Sequence, residues 1–218
     1  MRTASYMDET DRGAQAGQWL AAIRARVAPR PHLVLDPDRC ALLIIDMLAY
    51  FVHPAGRCFL PAGRAIVPRV EALLECWRNR RGMVAFTRHG HRGPHDLGML
   101  GRFFSDYIRA DEPEAAIVDE LAPLPGEYVF RKTTYDAFLG TGLEDALRQA
   151  GVTQVLVTGV LTHMCVETTA RSAFCRGFEV YVPVDATASR EEAHHMGSLL
   201  NMADAVAVMT SVEEVLPR

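Results

Sequence analysis

The chain has 218 residues, a formal net charge of −4 and five cysteines. A length of this order, with about half the residues hydrophobic, forms a single globular domain with a substantial core, so no second domain of comparable size is expected. The weakly acidic balance, with Lys and Arg scattered rather than striped, excludes the basic field that nucleic acid or an anionic membrane needs, and leaves a small molecule as the expected partner.

The cysteines, at positions 40, 58, 76, 165 and 175, show no CxxC and no disulfide-framework spacing, which points to a reducing cytoplasm. The first residues lack the apolar core of a signal peptide, and no run approaches a membrane span.

Trp19, Leu20, Ile23 and Val27 recur at helical spacing and predict an amphipathic helix over 8–27. It would belong to an N-terminal extension, residues 1–38, that packs on a neighbour, ahead of a main domain over 39–218. Pro29 and Pro31 end the helix, and a short extended piece is expected over 33–35.

The run CALLII, residues 40–45, reads as a buried central strand ending in the carboxylate of Asp46. A Pro- and Gly-rich loop follows, then a helix over 65–80 with Val67, Val70, Leu73, Leu74 and Trp77 on its apolar face. A second strand over 83–87 leads into Arg88-His89-Gly90-His91-Arg92-Gly93-Pro94-His95-Asp96. Three histidines so close invite a metal reading, but His-x-His-x-x-x-His in a flexible loop is not a helical zinc spacing. A polar pocket wall is the favoured reading of His89, His91 and His95, and no metal or other cofactor is expected. Leu100, Phe103, Phe104 and Tyr107 are suited to close over a site or to meet another subunit.

A short helix is expected over 113–121, then a third strand over 128–130 running into Arg131 and Lys132, with Tyr135 and Phe138 just beyond. After a helix over 142–150, the stretch VLVTGVLTHMCVETTARSAFC opens with a fourth strand, breaks at Gly159 and turns helical near Thr162, so Cys165 lies where strand hands over to helix. Unpaired N–H groups and the helix dipole at such a place favour thiolate over thiol. A fifth strand over 178–183, a helix over 191–202 carrying His194 and His195, a sixth strand over 205–209 and a last capped turn over 211–216 complete the pattern. Strands alternating with helices predict an α/β fold: a doubly wound, mostly parallel six-stranded sheet with helices on both faces.

That topology brings Asp46, Lys132 and Cys165 to one rim, with the ends of strands one, three and four expected side by side. Asp46 is placed to take the thiol proton, Lys132 to hold the anion, and Cys165 to attack a carbonyl carbon. Phe51, His53, Arg88, His91, Tyr135 and Phe138 are the candidates for the pocket, with Arg88 or Arg92 available to hold a substrate carboxylate.

On ALLIIDM, RKTTYDAF and GVLTHMCVETTARSAFCRGF with its trailing DAT, the chain resembles the isochorismatase-like cysteine hydrolases from about residue 40 to 216. That family includes nicotinamidases, N-carbamoylsarcosine amidohydrolases, biuret hydrolases and ureidoacrylate hydrolases. The resemblance implies Asp46, Lys132 and Cys165 as a catalytic triad, a cis peptide between Val160 and Leu161, an oxyanion hole from the N–H groups of Leu161 and Cys165, and a homodimer or homotetramer. The nicotinamidase metal element Asp-x-His is replaced here by His89-Gly90-His91, which argues against nicotinamide. A cysteine together with Lys132 favours C–N hydrolysis, through a thioester on Cys165, over the vinyl-ether hydrolysis of isochorismatases proper. A non-catalytic member of the fold, acting by protein contact, is the reading from a different class.

Overall fold

The computed structural model describes residues 5–7 and 14–216. Helix α1 (Ala14–Arg24) precedes β1 (Cys40–Ile45), the short helices α2 (Ala49–Val52) and α3 (Pro61–Ala65), α4 (Val67–Asn79) and β2 (Val84–His89). After α5 (Leu100–Phe103) come β3 (Tyr128–Lys132), α6 (Leu143–Gln149), β4 (Gln154–Val160) and α7 (Glu167–Cys175). The chain ends with β5 (Glu179–Pro183), β6 (Thr187–Ala188), α8 (Glu192–Ala205), β7 (Val208–Thr210) and α9 (Val212–Val215).

The strands run in the order β3-β2-β1-β4-β5-β7, with β6 pairing beside the end of β4. Every pairing is parallel. The chain winds outward from β1 in one direction and from β4 in the other, so the order reverses between β1 and β4, where open α/β sheets bind their ligands. β1 and β4 are buried along their whole length, which is why CALLII and VLVTGV read as unbroken apolar runs rather than alternating ones.

Several sequence expectations need correction. β2 lies between β1 and β3, so the ends of strands one, three and four are not all adjacent, and Lys132 must reach across the end of β2. The fourth strand does not break at Gly159 but continues to Val160. The two-residue β6 is a seventh strand. Residues 33–35 form no strand, and 113–121 form two separate 3₁₀ turns, Pro113–Ala115 and Asp119–Leu121. Residues 8–13 of the expected N-terminal helix lie outside the described residues. Its remainder packs on its own domain: Trp19, Leu20 and Ile23 enter the main core, and Trp19 Nε1 donates to Glu192 on α8 at 2.9 Å.

Gly159 is required by its surroundings. Its φ is +103°, and a Cβ there would lie 2.1 Å from the carbonyl oxygen of Ile45, so a side chain would push apart the two central strands that carry the site. Gly159→Ala should therefore lower stability by about 3 kcal/mol or more, or abolish soluble expression. Gly197→Ala on α8, where a Cβ meets nothing within 4 Å, should be neutral or stabilising by about 0.5–1 kcal/mol. Urea unfolding of the two variants checks both expectations.

Candidate active site

β1 delivers Asp46 to the rim in a left-handed conformation, φ +48°, which Asp tolerates better than most residues. β2 then fixes it. Thr87 Oγ1 accepts from the Asp46 N–H at 3.1 Å and donates to Asp46 Oδ1 at 2.7 Å, while the His89 N–H donates to the same oxygen at 3.1 Å. With Oδ1 held by two donors, Oδ2 is left to face Lys132, whose Nζ lies 2.7 Å away.

Lys132 is the last residue of β3, and its side chain is fully buried, as is that of Asp46. Its ammonium touches Cys165 Sγ at 3.1 Å and donates to the Thr134 carbonyl at 2.9 Å. The long, flexible stem is what spans β2 and closes the Asp46–Lys132–Cys165 cluster.

Cys165 stands in a π-helical turn, Thr162–Val166, that joins the end of β4 to α7; such turns are frequent at functional sites. The Val160–Leu161 peptide before it is cis. α8 anchors the turn from behind: Ser198 Oγ donates to the Thr162 carbonyl at 3.1 Å, and Thr162 Oγ1 lies 2.8 Å from His195 Nδ1. His195 Nε2 sits 3.0 Å from the Val184 carbonyl, an acceptor only, so Nε2 carries the proton and Nδ1 accepts from Thr162. Burial pushes His195 down to about 3, which keeps that tautomer neutral. His195 belongs to the scaffold of the site, a role that a histidine on a helix does not reveal in sequence.

Cys165 and Leu161 line a small cavity of about 150 Å³, with Phe51, His91 and Tyr135 among its walls. Three other pocket candidates point elsewhere. His53 is exposed, and its Nδ1 accepts from the Ala55 N–H at 3.1 Å. Arg88 donates to the Ala110 carbonyl, on the opposite side of β2 from the register that carries Thr87 and His89 to Asp46. Phe138 is buried in the core, stacked on Phe178 at 6.1 Å between ring centres. His95 and Arg92 are exposed. The sequence reading missed Arg190, an exposed guanidinium on the cavity wall whose Nη2 approaches Cys58 Sγ at 3.6 Å. Its one signal was its place directly after the rim loop Asp185-Ala186-Thr187-Ala188-Ser189.

Residues 40–214 match the family model for the isochorismatase domain. The chain belongs to the isochorismatase family. It is 37% identical over 186 residues to Nicotinamidase 3 of Arabidopsis thaliana, covering 83% of this chain and 89% of the relative. Among solved structures it is similar to a cysteine hydrolase from Pseudomonas syringae pv. phaseolicola 1448A, with a TM-score of 0.82, 27% identity and coverage of 86% of this chain and 95% of that one. It is also similar to N-carbamoylsarcosine amidase from Thermoplasma acidophilum, with a TM-score of 0.74, 26% identity and coverage of 82% and 99%. The protein is thus a hydrolase of this family.

The electrostatics of this isochorismatase-family site differ from the sequence expectation in one respect. Burial, only partly offset by Lys132, pushes the Cys165 thiol up to about 12, so it keeps its proton at rest rather than resting as thiolate. Burial would also push the Asp46 carboxyl up, but the Lys132 ammonium, the nearby His89 and the hydrogen bonds from Lys132 and Thr87 hold it below the ordinary range. Burial works against the Lys132 ammonium in turn, and Asp46 and Cys165 outweigh it, so its pKa is raised. The resting cluster is a buried ion pair beside a neutral thiol. Lys132→Met would leave Asp46 buried with no counter-ion, and removing one partner of such a pair costs about 3–5 kcal/mol near neutral pH. In the variant burial raises the folded pKa of Asp46 above the unfolded value of about 4, so stability falls as pH rises through that raised pKa. The parent's depressed Asp46 adds no such fall. Urea midpoints of parent and variant should therefore diverge between about pH 4.5 and about pH 7.5.

Proposed function

We propose that the protein is a cysteine-dependent amidohydrolase that cleaves the C–N bond of a small amide, carbamoyl or ureido compound through a thioester on Cys165. The observation that carries this reading is the buried contact of one ammonium with both a carboxylate and a thiol, Nζ–Oδ2 2.7 Å and Nζ–Sγ 3.1 Å, at the wall of a small cavity. A neutral thiol needs a base at the moment of attack, and Asp46, kept ionised by Lys132, is that base.

Asp46 Oδ2 takes the thiol proton as Sγ bonds to the carbonyl carbon, and Lys132 stabilises the anion that forms on sulfur. The tetrahedral oxyanion is held by the N–H groups of Leu161 and Cys165. The C–N bond then breaks, and the leaving nitrogen takes the proton from Asp46 and departs as ammonia or an amine. Water attacks the thioester and gives its proton to Asp46; the C–S bond breaks, and Asp46 returns that proton to the thiolate. The proton count closes with no group outside the cluster.

The cavity wall supports a substrate class as well. Arg190 is its guanidinium, whereas the wall carboxylate Asp106 is engaged by Arg57 at 3.5 Å. A small amide bearing an anionic group, with the anion on Arg190 and its body against Phe51 and Tyr135, fits this arrangement. The relatives named for nicotinamide and N-carbamoylsarcosine hydrolysis support a C–N bond as the target. Relatives named isochorismatase support the vinyl-ether reading, and the buried thiol in contact with Lys132 favours C–N cleavage over it.

Ammonia release should be measured across neutral and carboxylate-bearing carboxamides, N-carbamoyl compounds and ureido acids, with nicotinamide included. Cys165→Ala and Cys165→Ser should abolish turnover, and Asp46→Asn should lower kcat by a factor on the order of 10² or more. An Asp46→Asn variant as fast as the parent would remove the carboxylate as base and sink the mechanism. Arg190→Ala should raise KM for carboxylate-bearing substrates about tenfold or more while leaving neutral ones within about threefold. Equal effects on both would deny Arg190 the anion.

A further inference from the structure

Two histidines at the end of β2 have no part in the scheme above, yet they touch it. The Lys132 ammonium has three N–H bonds and four acceptors in reach: Asp46 Oδ2 at 2.7 Å, the Thr134 carbonyl at 2.9 Å, Cys165 Sγ at 3.1 Å and His89 Nδ1 at 3.4 Å. Asp46 Oδ2 meets the ammonium as a close ion pair without an aligned hydrogen bond, and the Thr134 carbonyl takes one N–H. The remaining N–H groups face the sulfur and the imidazole.

An ammonium donates and cannot accept, so His89 contributes to this set only with a lone pair on Nδ1 and its proton on Nε2. The other end of the chain leads to the same assignment. His91 Nδ1 lies 3.0 Å from the Asp96 carbonyl, which only accepts, so His91 carries its proton on Nδ1 and leaves a lone pair on Nε2. The two Nε2 atoms face each other at 3.1 Å, a distance that needs one donor and one acceptor, and His89 is then the donor. His89 looks onto Lys132, Asp46 and the Thr134 carbonyl, which is also the acceptor of a Lys132 N–H; His91 looks onto the Asp96 carboxylate at 3.4 Å and the Tyr107 ring at 6.0 Å, and Asp96 is itself held by Arg131 at 3.2 Å. Burial, with Lys132 behind it, pushes His89 down to about 4.

We propose that His89 and His91 form a pair locked in opposite tautomers, in which Asp96 fixes His91, His91 fixes His89, and His89 Nδ1 positions the Lys132 ammonium between Asp46 and Cys165. His89 is a positioning residue: it acts through Lys132 and touches no reacting atom of the substrate. The inference rests on the reading of Lys132 as the cation of the hydrolytic site.

The test uses the full chain labelled with ¹⁵N-histidine, its ring nitrogens read by long-range proton–nitrogen correlation near neutral pH and assigned by comparison with His89→Asn and His91→Phe. The expected spectrum has His89 protonated on Nε2 and His91 on Nδ1. Both rings protonated on Nδ1, with two lone pairs converging as they would on a cation, or a doubly protonated His91, would overturn the proposal. In kinetics on any amide the panel identifies, His89→Phe should lower kcat about tenfold or more with KM within about threefold, and His89→Asn, which keeps an acceptor near the Nδ1 position, should recover most of the loss. An unchanged kcat in His89→Phe also refutes it. If that variant does not fold, the tautomers of the unsubstituted protein decide. If no amide is hydrolysed, the functional reading fails while the spectrum still tests the locked pair.

Discussion

The buried ion pair of Asp46 and Lys132 is the constraint on which the site depends. Two charges with fully buried side chains are tolerable only because each is close to the other and both have further hydrogen bonds: Thr87 and the His89 N–H on the carboxylate, the Thr134 carbonyl on the ammonium. A pair so arranged contributes little net stability compared with an apolar substitute, but it holds a carboxylate ionised where burial alone would neutralise it. The thiol beside it is forced the other way and keeps its proton. Burial raises the thiol further than Lys132 lowers it, while the same lysine and its hydrogen-bonding neighbours hold the carboxylate low, and in the proposed scheme the two become the donor and the acceptor of a single proton.

The fold supplies this cluster from separate elements that each have a structural reason to be where they are. β1 and β4 are central and wholly buried, and Asp46 and the turn carrying Cys165 leave from their ends. Gly159 allows the backbones of β4 and β1 to approach at the last register pair, Ile45 with Gly159. Behind the turn, α8 supplies Ser198 and His195. The ring of His195 packs edge-on against Trp19 of α1 with 4.9 Å between centres, so the N-terminal helix is part of the support of the turn that carries Cys165 rather than an appendage.

Much of this was legible in the residues. A continuous apolar run ending in one carboxylate marks a central strand and its rim, and CALLII followed by Asp46 is such a run. Cys165 was legible because an apolar run, a glycine and a helical segment meet there. The order of the strands was not, because hydrophobic period says that β3 is a strand and not which strand it neighbours; the reach of Lys132 across β2 follows only from the pairing of His89 with Lys132. His53, Arg88 and Phe138 were misplaced for a related reason. Residues near the rim were assigned to the pocket by chain position, whereas in a strand alternate side chains leave on opposite faces, and in a loop one local hydrogen bond, such as that of His53 with Ala55, can turn a ring away. Arg190 carried no periodic signal, being one of three polar residues, Ser189, Arg190 and Glu191, between a two-residue strand and a helix.

The protonated state of Cys165 also bears on how the protein withstands oxidants. Peroxide attacks thiolate far faster than thiol and needs access to the sulfur. Cys165 keeps its proton and is buried where it lines the cavity, whereas Cys175, at the end of α7, is exposed. Oxidative damage therefore falls first on a cysteine with no place in the site, and in the proposed scheme Cys165 becomes vulnerable only in the interval when Asp46 holds its proton and a bound substrate occupies the approach to the sulfur.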